Sequence, residues 1–167
     1  MQKDNKDNWT LVPKTEAEVA ALRERCRGIV RRRAALAAGV SAVPIPGVDV
    51  VSDVALFTRL VEEINRSFGL TEAEIGRWQP EIRVMAYRAA AGVGGMLVGR
   101  LVTKELVLKI LAKSGAKLAA KTTAKVVPLA GSIASAAIGF AVFRQMGYQH
   151  VEACAEVARQ LLVAKTG

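Results

Sequence analysis

The sequence predicts an all-α protein, a compact multi-helix bundle whose apolar helical hairpins are rich in alanine and glycine. Three observations predict it. Apolar side chains recur at three- and four-residue spacing between recognisable helix caps and proline stops. No segment alternates apolar and polar residues with the β-branched enrichment of a strand. Aromatics are 5% of a chain that is 51% hydrophobic, so the core must be built from small side chains that let helix backbones approach closely. With 167 residues the chain has the length of one domain. Residues 1–14 hold few apolar side chains and read as a flexible tail, and residues 15–167 as a single helical domain.

Thr15 and Glu18 form a capping box that opens the first helix, expected over residues 16–43. Its Val19, Leu22, Cys26, Ile29, Val30, Leu36, Val40 and Val43 keep helical spacing, while Arg23, Arg27 and Arg31 mark another face. Pro44-Ile45-Pro46-Gly47 stops it, because a residue before proline avoids the α region and proline lacks the amide the ladder needs. A second helix is expected over residues 48–68, with Asp49 favoured near its positive N-terminal end and Gly69 as a left-handed cap. Thr71 and Glu74 form another capping box, giving a short helix that Pro80 interrupts.

A fourth helix is expected from residue 81 through the Ala/Gly stretch 89–99, and a fifth over residues 100–126. Pro128 closes the fifth and starts a sixth, since a proline at the first position loses only an amide without a partner. That helix should end at Met146, with Gly147 as a break before a last helix over residues 148–164. Ala91, Gly95 and Gly99 recur every four residues, as do Gly131, Ser135 and Gly139. Such rows predict close helix contacts, within the bundle or between copies of the chain.

The formal charge is +9 and unevenly spread. Leu22–Arg33 holds six arginines against one glutamate, and Arg100–Lys125 seven basic residues against one glutamate. Two cationic ridges are therefore expected: Arg23, Arg27, Arg31, Arg32 and Arg33 on one, and Lys109, Lys113, Lys117, Lys121 and Lys125 on the other. The five lysines recur every fourth residue and curl slowly around their helix. They suit an anionic membrane surface or an acidic protein partner. Nucleic acid is disfavoured, because no aromatics interleave with the lysines to stack on bases.

Val126–Phe143 carries no charge. Its eighteen residues span about 27 Å as a helix, against about 30 Å of hydrocarbon core, so insertion is borderline. The polar start MQKDNKDNWT lacks the apolar run of a secretory signal. The expected location is the cytoplasm or the cytoplasmic face of a membrane, with an integral hairpin as the rival.

Catalytic groups are sparse. His150 is the one histidine and reads as a surface or capped side chain. Cys26 and Cys154 have no short spacing and read as buried free thiols. Gly94–Leu101 approaches a phosphate loop, but Arg100 stands where lysine is required and Leu101 where Ser or Thr is required. Asp49 with Asp53, and Glu152 with Glu156, sit one turn apart without a third ligand, so neither pair makes a metal site. No catalytic residue, cofactor or metal is expected.

The segment Ala38-Gly-Val-Ser-Ala-Val-Pro-Ile-Pro-Gly-Val-Asp49, followed by a long apolar helix ending at Phe68-Gly69, resembles a bacterial domain of unknown function. That domain lies C-terminal to the GTPase unit of Era-like and immunity-related-GTPase-like proteins, and occurs in YcjF-like inner-membrane proteins. Lys125-Val-Val-Pro128-Leu-Ala-Gly131 and Arg144-Gln-Met-Gly147 agree with it, and the resemblance covers residues 31–162. It implies a helical, membrane-associated module that works beside a GTPase. This sequence carries no GTPase motif, so such a partner would act in trans. The expected function is a non-enzymatic helical module on an anionic membrane or a protein partner. Its rivals are a pore-forming toxin or effector with an inserting hairpin and a soluble adaptor without lipid contact.

Overall fold

The computed structural model describes residues 12–40, 49–94, 97–100, 102–103, 105–110, 113 and 131–166. Pro44, Pro46, Gly47, Pro128, Lys117, Lys121 and Lys125, singled out above, lie outside the described residues. The first helix, α1, covers Glu16–Val40. Thr15 Oγ1 accepts from the Glu18 amide at 3.1 Å, as expected of the cap. The Glu18 carboxylate, however, accepts from the amide of Lys14 at 2.7 Å, one residue earlier than a reciprocal box requires. Val12 and Pro13, within the stretch read above as a tail, are buried.

Helix α2 covers Asp49–Ser67 and buries Val54, Phe57, Val61, Ile64 and then Phe68, one side chain per turn. Its end is a Schellman motif. The Leu70 amide donates to Asn65 O at 2.8 Å, the Gly69 amide donates to Arg66 O at 3.1 Å, and Gly69 takes φ +68°. The short α3, Glu72–Ile75, carries the complete Thr71–Glu74 capping box. Pro80 is the first residue of α4, Pro80–Gly92, where its missing amide costs nothing.

Helix α4 stops at Gly92 rather than running to Gly99. Gly94 and Gly99 both take φ near +68°, a left-handed conformation that ends a helix and is open to glycine without strain. The row Ala91, Gly95, Gly99 therefore does not lie on one helix. Gly99 instead donates its amide to Leu70 O at 3.1 Å, and a β-carbon there would sit 2.5 Å from Ile75 Cδ1. Arg100 is non-helical for the same reason. The next helical segment, residues 105–110, starts where Thr103 Oγ1 accepts from the Leu106 amide at 3.2 Å.

The last helix, α5, covers Gly131–Thr166 and does not break at Gly147. Gly147 serves another purpose: a β-carbon there would lie 2.8 Å from Val30 Cγ1 and 3.3 Å from Leu60 Cδ2. Its missing side chain lets α1 and α2 close on α5.

The pairings fix the topology. Glu16 meets Arg159, Arg23 and Arg27 meet Glu152, and Val30 meets Gly147, so α1 runs antiparallel to α5. Phe57 meets Phe143, Leu60 meets Gly147 and Asn65 meets His150, so α2 runs parallel to α5. Helices α1, α2 and α5 thus enclose the core, and α4 packs against α5. No strand occurs among the described residues. On α1 the buried stripe is Val19, Cys26, Val30, Ala34 and Ala37. Leu36, expected in the core, is 61% exposed, and the inward positions on this part of α1 belong to Ala34 and Ala37.

Candidate functional site

The expected arginine ridge on α1 is divided. Arg23 Nε and Arg27 Nη1 hold the two oxygens of Glu152 at 2.7 and 2.8 Å, joining α1 to α5. The Arg27 guanidinium also lies 4.4 Å above the Tyr148 ring. Arg33 reaches Glu63 on α2 at 2.9 Å. The Arg23 hydrogen bond, against a smaller opposing effect of burial, holds the Glu152 carboxyl below its ordinary pKa. Arg23, Arg27 and Arg33 are therefore occupied by the protein's own acids and do not form a free cationic face. Arg31 and Arg32 are exposed and make no ion pair among the described residues.

Lys109 and Lys113 present a different picture. Both are exposed and neither has an acidic partner among the described residues. Leu108 beside them is 45% exposed, while Val107 one position away is fully buried. Between Glu105 and Glu152 the sequence contains no Asp or Glu, but five lysines and Arg144. Glu105, one turn before Lys109, is the acid that adjoins this stretch in the sequence.

Beneath it lies a polar cluster in the core. Asn65 Nδ2 donates to Leu97 O at 2.9 Å, which turns its Oδ1 towards His150 Nε2, also at 2.9 Å. With Oδ1 as acceptor, Nε2 carries a proton in this pair. The Cys154 thiol donates to the same Oδ1 at 3.5 Å and lies 3.6 Å from Nε2. Burial lowers the His150 pKa from 6.5 to about 4 and pushes the Cys154 thiol well up.

Cys, His and Asn together suggest nucleophilic catalysis, but the geometry opposes it. A nucleophilic thiol needs a depressed pKa and access to substrate. Cys154 has neither, and Nε2 donates to Asn65 rather than accepting from sulfur. The cluster instead ties the end of α2 and the loop at Leu97 to α5. Cys26 is likewise a buried free thiol.

His150 is thus not the surface side chain expected. The signal was present in the spacing Phe143, Met146, His150, Cys154, Val157 and Leu161, all of which are buried. Asn65 similarly continues the Val61 side of α2. Glu152 and Glu156, considered as a carboxylate pair, accept instead from Arg23, Arg27, Arg159 and Gln160. No group of three potential ligands occurs among the described residues.

Nor is any helix, among the described residues, long and apolar enough to cross a membrane. Phe143, the end of the uncharged stretch, packs edge-on against Phe57 at 5.2 Å within the core. Family models, curated proteins and solved structures give no match to this chain.

Proposed function

We propose that the protein is a non-enzymatic helical module that docks on an anionic membrane surface through the lysine-bearing segment beginning at Lys109. The observation that carries this reading is the pair of exposed ammonium groups of Lys109 and Lys113, which make no ion pair among the described residues and are followed by no acid before Glu152. Exposed Leu108 adds an apolar side chain that can enter the headgroup layer next to them. Each lysine near such a surface contributes about 1 kcal/mol, so two lysines amount to roughly thirtyfold in affinity. Of the α1 arginines, Arg23, Arg27 and Arg33 contribute less, since they already hold carboxylates, while Arg31 and Arg32 are exposed and can add to the attraction.

Co-sedimentation with phosphatidylcholine vesicles containing increasing phosphatidylglycerol tests the reading. Binding should rise with anionic lipid, fall with salt, and drop in the Lys109→Glu/Lys113→Glu double variant. Binding indifferent to anionic lipid content would refute it. Absence of vesicle binding, together with one protein captured at fixed ratio, would favour the soluble-adaptor alternative.

A further inference from the structure

Between α5 and the chain that follows α4 lies a cleft of about 1020 Å³, at the upper end of the range of small-molecule sites. Part of its lining is apolar: Phe57, Val93, Leu97, Ile110 and Met146. The charged lining is unequal. Its acids are already engaged, Glu152 with Arg23 and Arg27, and Glu156 with Gln160 and an Arg159 that it shares with Glu16. His150 at its edge is neutral. Its cations Lys113 and Arg144 are exposed and lack an acidic partner among the described residues, and the Arg144 guanidinium lies 5.4 Å from the Phe140 ring.

A ligand in this cleft therefore meets apolar surface together with an excess of positive charge, since Lys113, Arg144 and Arg159 outnumber Glu152 and Glu156 in its lining. An organic cation would be repelled, and a small inorganic anion would leave the apolar wall unused. We propose that the cleft binds a single-chain amphipathic anion, an acyl chain ending in a carboxylate or phosphate. The chain lies along the partly exposed Val93, Ile110 and Tyr148, above the more deeply buried Leu97 and Met146, and the head group meets Lys113 and Arg144. This site goes beyond surface docking and does not require it: the two readings share Lys113, but Lys109 and Leu108 lie outside the cleft lining.

Isothermal titration calorimetry on the full chain tests the site, using dodecanoate and dodecyl phosphate below their micelle concentrations. Dodecyltrimethylammonium tests the sign of the charge, acetate and inorganic phosphate the need for the chain. Saturable one-to-one binding of at least one dodecyl anion is expected, and the two head groups separate a fatty carboxylate from a phosphate lipid. Gln149 lines the cleft from an exposed position, so Gln149→Trp fills it without disturbing the core. That variant and Arg144→Glu should each weaken binding by about tenfold or more.

Equal binding of the cationic detergent, binding of acetate or inorganic phosphate as tight as that of the dodecyl anions, an unaffected Gln149→Trp variant, or no saturable heat would overturn the proposal. Lys109→Glu should reduce vesicle binding and leave dodecyl-anion binding intact, and Gln149→Trp should do the reverse. Failure of one reading is thereby distinguishable from failure of the other.

Discussion

Acidification from pH 7 to pH 4 should destabilise the protein through His150. The imidazole is wholly enclosed, its Nε2–H donating to Asn65 Oδ1 at 2.9 Å, and burial lowers its pKa from 6.5 to about 4. Because the folded value lies below the unfolded one, the unfolded chain binds the extra proton between those limits. Stability therefore falls as pH drops through 6.5, and the loss saturates near 4, where the folded state also protonates. The slope is about 1.4 kcal/mol per pH unit for one proton, so the total approaches about 3 kcal/mol.

Urea unfolding followed by circular dichroism at pH 7, 6, 5 and 4.5 reads this directly. His150→Gln keeps an amide donor towards Asn65 but cannot titrate, so the slope between pH 6.5 and 4.5 should largely disappear. Since His150 is the one histidine in the sequence, its NMR resonance is unambiguous. A midpoint near 6.5 in the folded protein, or equal pH slopes in both chains, would refute the reasoning.

Gly147→Ala gains about 1 kcal/mol of helix propensity but forces a β-carbon to 2.8 Å from Val30 Cγ1, so a net loss of roughly 1 kcal/mol is expected in thermal unfolding, partly relieved by Val30→Ala. Gly99→Ala combines a positive φ with contact at Ile75 and should cost about 3 kcal/mol in urea unfolding, whereas Gly94→Ala, with the same φ and open space, should cost only about 1 kcal/mol. Glu152→Gln weakens two partly exposed ion pairs, so its stability cost is about 1 kcal/mol. It also removes a carboxylate whose lowered pKa stabilises the fold above the ordinary acid range, so the stability loss below pH 4.5 should shrink. By releasing Arg23 and Arg27, the same variant should raise binding to anionic vesicles, which co-sedimentation would show.

What could be read from the sequence is what neighbouring residues decide among themselves. The Thr71–Glu74 box, Gly69 and Pro80 at a helix start are local chemistry, and they appear within a residue or so of their expected places. Gly147 was ambiguous because a helix-embedded glycine marks either a break or a close crossing. The choice rests on Val30 and Leu60, which are distant in sequence. Leu36 keeps helical spacing with the apolar residues around it, yet the inward positions go to Ala34 and Ala37, a choice that spacing alone does not make. The pairing of Arg23, Arg27 and Arg33 could not be read along α1 alone, because beside Glu24 on the same helix their partners Glu152 and Glu63 come from α5 and α2.

The division between arginine and lysine has a physical basis that bears on where a partner could bind. A guanidinium is planar, weakly hydrated and able to stack, which suits it to half-buried contacts between helices. Arg23 and Arg27 grip one carboxylate from two sides while Arg27 covers Tyr148, so their charge is used to hold α1 on α5. An ammonium on a flexible stem is strongly hydrated and gains little from such a site, and Lys109 and Lys113 remain in solvent. Binding driven by the lysines would then proceed without unfastening the bundle. Binding driven by Arg23 and Arg27 would first have to break the contact that joins its two longest helices.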